Sequence, residues 1–191
     1  MMEPQPRYVF KVCLIGSGGV GKTCIAKRLC FDTFDARTQM TIGIDFYTYD
    51  IPIIVKDEKT FVRLTIWDFG GQEQFKNLFS YYINGANGIF LVFDLAEMET
   101  LTRLDWWYEQ LINYNLQDQP KILIGTKLDL VETTDKKYKI DNLIIEQFLK
   151  RHNEKDFIKT SSKENKNIIK SFKELVKKVL EAHSLDYEKI I

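Results

Sequence analysis

A lysine and a hydroxyl residue behind a run of glycines mark the first place where this chain could do chemistry. The stretch is Gly16-Ser17-Gly18-Gly19-Val20-Gly21-Lys22-Thr23, with Cys24 opening the segment behind it. Its spacing matches G-x-x-x-x-G-K-[ST], a phosphate-binding loop. Glycines allow backbone N–H groups to turn inward around phosphate oxygens, and a helix that follows offers its positive N-terminal end. Lys22 would reach the β- and γ-phosphates, and the Thr23 hydroxyl would hold Mg²⁺. An ordinary glycine-rich turn is disfavoured, because the loop falls between an apolar run, Val9 to Ile15, and a helix-like segment, Cys24 to Cys30.

The elements that must carry this loop alternate along the chain. Residues 1–7 read as a mobile polar lead. FDTFDARTQMTIGIDF reads as an exposed loop entering a strand. A hairpin follows, with a first arm from Gly43 to Val55, a charged turn from Lys56 to Lys59 and a returning arm from Thr60 to Asp68. Pro52 argues that the first arm is an edge strand. In the second arm Val62, Leu64 and Ile66 share one face, so Trp67 lies on the less apolar side. Phe75, Leu78, Phe79 and Tyr82 are spaced as a helix face. Ile89 to Phe93 and Ile122 to Ile124 are unbroken apolar runs, as expected of parallel strands covered on both sides. Helices are expected over Thr100 to Tyr114, Asp141 to His152 and Glu164 to Ala182, with a lysine-rich surface loop from Thr133 to Lys139 and a short strand at Phe157-Ile158. This alternation predicts an α/β fold: a doubly wound, mostly parallel six-stranded sheet with one antiparallel edge strand and helices on both faces. Ligands belong at the C-terminal ends of its strands.

Bulk properties exclude several classes. The chain has 191 residues, enough for one domain with a full core. Lysine plus arginine number 27 and aspartate plus glutamate 27, so no net field draws it to nucleic acid or an anionic membrane. Cys13, Cys24 and Cys30 have no C-x-x-C spacing and read as reduced core thiols of a cytoplasmic protein. No segment has the pattern of a signal peptide or a membrane span.

Further chemistry sits at the other strand ends. Asp68-Phe69-Gly70-Gly71 fits D-x-x-G, in which the aspartate would hold Mg²⁺ through water and the Gly71 N–H would touch the γ-phosphate. Gln72, directly after Gly71, would orient an attacking water. Thr126-Lys127-Leu128-Asp129 fits a base-reading element, since the Asp129 carboxylate can accept from N1–H and the 2-amino group of guanine, and adenine offers neither donor. In Thr160-Ser161-Ser162-Lys163 a backbone N–H, from Ser162, would meet guanine O6. Thr41 is the candidate switch threonine that closes on Mg²⁺ when the γ-phosphate is present.

Five motifs in this order resemble the small GTPases of the Ras superfamily along nearly the whole chain. The branch most resembled is Rab, through Thr41-Ile42-Gly43-Ile44-Asp45-Phe46, WD-x-x-GQE-x-F at 67–75 and Tyr81-Tyr82. The resemblance implies a G-domain of the P-loop NTPase class over 8–183, followed by a short tail, 184–191. It implies a switch that binds GTP or GDP with Mg²⁺, hydrolyses GTP slowly and engages effectors in the GTP state. By position Phe34 matches the aromatic residue that packs over guanine, and Gly18 the glycine that crowds the γ-phosphate. Gln72, Lys22 and Thr41 are the expected catalytic residues. Effector, exchange-factor and activating proteins are expected at the two switches and the hairpin between them, with Phe46, Trp67 and Tyr81 as a candidate patch. Core packing is nearly as good an account of these three aromatics. The sequence departs from the family at Thr126, where most members have asparagine and the Rho branch also has threonine. The end, HSLDYEKII, carries no prenylation cysteine. No direct lipid anchor is therefore expected, and a monomer is. A guanine-nucleotide-holding module without useful turnover is the alternative reading.

Overall fold

The computed structural model describes residues 4–72, 74, 76–133 and 140–191. The strands are β1 (Tyr8–Ile15), β2 (Ile44–Val55), β3 (Glu58–Phe69), β4 (Gly88–Asp94), β5 (Lys121–Thr126), β6 (Phe157–Lys159) and β7 (Lys189–Ile190). Between them lie α1 (Lys22–Phe31), α2 (Lys76–Tyr82), α3 (Met98–Thr102), α4 (Leu104–Asn113), α5 (Leu128–Thr133), α6 (Asn142–Arg151) and α7 (Ile168–Ala182). The sheet order is β6-β5-β4-β1-β3-β2-β7. All pairings are parallel except those of β2, which runs antiparallel to both β3 and β7. Strand order reverses around β1, and in a doubly wound sheet a crevice opens at that point, here at the C-terminal end that carries the glycine loop.

Alternation along the central strands feeds two separate cores. Phe10, Val12 and Leu14 of β1 and Phe90 and Val92 of β4 face α1 and α7, where Ile25, Leu29, Phe172 and Val176 close the layer. Cys13 and Ile15, with Ile89, Leu91 and Phe93, face the opposite side, against Phe79, Trp107, Leu111 and Phe148. Every residue of β4 and β5 is buried, which is why their middles, residues 89–93 and 122–124, are continuously apolar rather than alternating, with polar residues only at the ends of the two strands. All three cysteines are free thiols, and burial pushes Cys13 up to about 12.

Several elements differ from the sequence expectation. Among the described residues the sheet has seven strands rather than six, because residues of the expected tail return to it. Ile190 aligns with Ile53 and Lys189 with Ile54. Leu185, Tyr187 and Ile190 pack against the first core, so apolar burial draws the segment back. Two residues are too short for alternation to reveal a strand. β2 is therefore covered over part of its outer edge. Ile191 donates its N–H to the Pro52 carbonyl at 2.9 Å, so the side on which proline lacks an N–H faces β7 and costs β3 nothing.

The turn between β2 and β3 is tighter than expected, with only Lys56 and Asp57 between the strands, both left-handed (φ 51° and 62°). The helix expected over 100–114 starts at Met98 and is interrupted at Arg103. The last helix starts at Ile168, later than expected, because Ser161 pairs with Lys166 and holds 161–166 in a turn. α6 begins as expected, with the Asp141 side chain accepting from Leu143 N–H at 2.9 Å. Most of the expected lysine-rich loop, 134–139, and the helix-face residue Phe75 lie outside the described residues.

Candidate functional site

The glycine loop owes its shape to backbone conformations that side chains resist. Gly16, Gly19 and Gly21 have positive φ, and at Gly16 a Cβ would lie 2.1 Å from the Val92 carbonyl oxygen. β4 therefore passes directly behind the loop, and only glycine permits that approach. α1 starts at Lys22, so the loop leads into a helix N-terminus with the geometry that favours anions.

Lys22 is 5 % exposed and lies over the loop, donating to the carbonyl oxygens of Gly16 at 2.9 Å and Ser17 at 2.7 Å. Burial pushes it down to about 8, partly opposed by the Asp68 carboxylate. An ammonium held in so dry a place is short of counter-charge, which phosphate would supply.

Three oxygen-bearing side chains converge beside it. Thr23 Oγ1 lies 2.5 Å from Asp68 Oδ2 and 2.7 Å from Thr41 Oγ1, and Thr41 Oγ1 is 3.2 Å from the same carboxylate oxygen. Asp68 is fully buried at the end of β3, and burial raises its carboxyl above the usual range. Its other oxygen, Oδ1, has no hydrogen-bond partner among the described residues. A buried carboxylate oxygen without a donor is costly unless a cation or its water serves it. The donor set is one carboxylate and two hydroxyls, with no group of three histidine, cysteine, aspartate or glutamate residues among the described residues. That suits Mg²⁺, which takes few protein ligands and completes its shell with water and phosphate oxygens. The residues present therefore fit the ion.

These groups border a cavity of about 390 Å³. Its walls include Gly18, Gly19, Gly21, Lys22, Thr23, Cys24, Phe34, Thr41, Gly71, Gln72, Thr126, Lys127, Asp129, Ser162 and Lys163, all expected site residues. Gly16, Ser17, Val20, Asp68 and Ser161 stand behind the wall and act there through contacts or burial rather than as lining. Ser161 Oγ donates to Asp129 Oδ1 at 2.6 Å, fixing the carboxylate that would read the base. Thr126 Oγ1 lies 2.5 Å from the Val20 carbonyl oxygen and 3.0 Å from that of Phe93. The threonine hydroxyl thus ties the base element to the phosphate loop, which gives this departure from the common asparagine a physical account. Lys127 is left-handed (φ 57°), and its ammonium pairs with Asp94 Oδ2 at 2.7 Å.

Gln72 lies over the loop, with its Cγ 3.6 Å from where a Cβ on Gly18 would stand. Its Nε2 is 2.7 Å from Met40 Sδ, and its Oε1 accepts from Gln74 Nε2 at 3.0 Å. Gly71 meets the loop backbone to backbone: a Cβ there would be 2.3 Å from the Gly16 carbonyl oxygen. Arg37, on the exposed segment before Thr41, turns away from the cavity with a side chain 95 % exposed.

On the outer face Phe46 and Trp67 meet edge to face at 4.6 Å. The third aromatic against Trp67 is Tyr82, at 5.9 Å, and not Tyr81, which points out at 77 % exposure. Lys11 Nζ sits 3.6 Å from the Trp67 ring centre and donates to the carbonyl oxygens of Tyr82 and Asn84. That cation anchors the end of α2 and selects the second tyrosine. Sequence reasoning also missed Met40, Asp94 and Arg28. The first two carry no motif, and Arg28 resembles an ordinary i,i+4 surface partner of Asp32.

A glycine loop at the switch point of a doubly wound sheet, with a base element and a hydroxyl–carboxylate cluster at neighbouring strand ends, defines a nucleotide-binding P-loop domain. The sequence model of the Ras family matches residues 11–181. The chain is 34 % identical over 171 residues to the Ras-related protein RIC1 of Oryza sativa subsp. japonica, covering 90 % of this chain and 80 % of that protein. The chain belongs to the Ras family, and is a small GTP-binding protein of the switch type. No helix among the described residues is long and apolar enough to cross a membrane.

Proposed function

We propose that this protein is a guanine-nucleotide switch that hydrolyses GTP slowly by itself and faster with an activating protein. The observation that carries the reading is the orphaned Asp68 Oδ1 beside the Thr23 and Thr41 hydroxyls. Thr23, Thr41 and, through water, Asp68 would hold Mg²⁺, which when bound neutralises charge on the β- and γ-phosphates. Lys22 would bind those same phosphates. Phe34 would cover the base, while Asp129 and the Ser162 N–H would read its edge. The Gln72 amide would orient the water that attacks the γ-phosphorus, and the bond to the bridging oxygen of GDP would break. Arg37, turned to solvent, leaves the transition-state charge without an arginine from this chain, so an activating protein would supply one in trans. Phe46, Trp67 and Tyr82 would form part of the effector surface, which Thr41 and Gly71 would couple to the γ-phosphate. The G-domain would extend over 8–183 in a cytoplasmic monomer.

One observation favours a second reading, a nucleotide-holding module with negligible turnover. Both ends of the Gln72 amide are engaged by Met40 and Gln74. Single-turnover hydrolysis separates the two. Purified protein should release guanine nucleotide on denaturation and bind GDP far more tightly than ADP. Bound GTP should be cleaved, Gln72→Leu should nearly abolish the cleavage, and Arg37→Ala should leave it unchanged. If the unsubstituted protein cleaves no faster than Gln72→Leu, the holding module is correct. If Arg37→Ala slows cleavage tenfold or more, about 1.4 kcal/mol of barrier, the arginine acts in cis.

A further inference from the structure

We infer that Arg28 is a positioning residue for the purine base, acting through the backbone of the 160–163 loop. The inference rests on the guanine reading above. Arg28 lies on α1, the helix that begins in the phosphate loop. Its side chain is only 13 % exposed. One edge of its guanidinium pairs with Asp32, Nη1 donating to the carbonyl oxygen at 2.8 Å and to Oδ1 at 2.9 Å. The remainder reaches across the fold. Nε donates to the Ser162 carbonyl oxygen at 2.7 Å, and Nη2 to that of Lys163 at 3.3 Å. Asp32 Oδ1 in turn accepts from Asn165 Nδ2 at 3.1 Å, so a second point of the same loop is held.

An exposed i,i+4 ion pair contributes little by itself. A planar guanidinium that grips two consecutive carbonyls does something a surface pair does not, because it fixes the orientation of the peptides between them. In a trans peptide the C=O and N–H point to opposite sides. Holding the Ser162 carbonyl toward α1 therefore turns the Lys163 N–H away from Arg28, and Ser162 and Lys163 both line the cavity. Among the described residues neither Ser162 N–H nor Lys163 N–H has an acceptor. Two donors that the fold leaves unused, on a loop clamped from behind, suit the one acceptor guanine presents at that edge, O6. Asp129, which would read N1–H and the 2-amino group, is held independently by Ser161. Arg28 thus belongs to the O6 half of recognition, and links the helix that serves the phosphates to the loop that serves the base.

The test uses three diphosphates with the intact chain: GDP; inosine diphosphate, which keeps O6 and N1–H and lacks the 2-amino group; and 2-aminopurine riboside diphosphate, which keeps the amino group and lacks both O6 and N1–H. Arg28→Gln should speed release of GDP and of inosine diphosphate by about tenfold, the loss expected for a charge-assisted contact. Release of the 2-aminopurine nucleotide should change less than about twofold, because it never used the clamped donors. Arg28→Lys, able to reach one carbonyl, should fall between. Equal acceleration of all three nucleotides by both variants would mean that Arg28 merely supports α1, and would overturn the inference. So would no acceleration of any. A separate control isolates the underlying reading: if the unsubstituted protein holds GDP no tighter than ADP, the guanine assignment fails and this inference falls with it. If it discriminates and the variants act uniformly, only the role of Arg28 is lost.

Discussion

Two glycines on facing segments allow the switch mechanism to be tested by a single methyl group. At Gly71 an added Cβ would lie 2.3 Å from the Gly16 carbonyl oxygen and the Ser17 carbonyl carbon, and 2.4 Å from Gly18 N. Non-bonded carbon contacts normally fall near 3.5–4.0 Å, so each overlap exceeds roughly 1 Å. None of these atoms is the end of a flexible side chain. All belong to a loop backbone that Lys22 holds by two carbonyls. Gly71 is not among the glycines with positive φ, so alanine is acceptable to its backbone and the conflict is purely spatial. Relief requires the 70–72 segment to withdraw from the loop. Overpacking of this kind costs about 1–3 kcal/mol, which displaces a two-state equilibrium by roughly 5- to 150-fold. At Gly18 the same methyl would meet Gln72 Cγ at 3.6 Å, an ordinary contact. Gly71→Ala should therefore weaken binding of a non-hydrolysable GTP analogue by about that factor relative to GDP, since in the proposed switch only the γ-phosphate would use the closed arrangement. Gly18→Ala should leave the analogue-to-GDP ratio within about twofold, because no overlap has to be relieved. Equilibrium titration followed by Trp67 fluorescence reads both. A Gly71→Ala protein with an unchanged ratio would refute the reasoning, because the backbone contact would then have no part in γ-phosphate sensing.

The buried lysine makes a pH prediction. Lys22 in the free protein is pushed down to about 8 from 10.5, so it binds fewer protons than it would with phosphate beside it. At pH 8.5 nucleotide binding should take up about three-quarters of a proton, seen as a dependence of calorimetric heat on buffer ionisation, and Lys22→Met should abolish it. The sign for stability follows: without nucleotide, Lys22 makes the folded state more stable as pH rises from about 8 towards 10.5, where the unfolded chain holds more protons. The third site is Thr126. Thr126→Val keeps the shape but leaves the Val20 and Phe93 carbonyls without their hydroxyl donor, and should cost about 1–3 kcal/mol in urea unfolding. Thr126→Asn, which restores a donor, should recover most of that.

How far the site can be read from the chain depends on how local its cause is. The phosphate loop was legible because its constraint is local. Gly16, Gly19 and Gly21 are demanded by backbone conformation at their own positions, and Lys22 and Thr23 follow at fixed spacing. The buried strands were legible for a similar reason, since coverage on both faces leaves residues 89–93 of β4 and 122–124 of β5 without a polar side chain. What escaped depends on contacts across the fold. Nothing near Tyr82 distinguishes it from Tyr81. The choice is made by Lys11, on a strand 71 residues away, which holds the Tyr82 carbonyl beneath Trp67. The start of α7 was misplaced because Glu164 donates its N–H to Ser161 Oγ instead of entering a helix, and Ser161 is itself bound to Asp129, 32 residues earlier. β7 was invisible because a two-residue strand has no period, and only the apolar floor under Ile190 draws it home. Arg28 is the limiting case. Its contact with Asp32 fits a common surface pattern, while its contact with Ser162 spans 134 residues and leaves no trace in either neighbourhood. Sequence motifs therefore report the groups that would touch the ligand, because those must sit at strand ends with fixed backbone shape. The residues that aim those groups are chosen by whatever the fold brings behind them, and they become legible only when the fold is known.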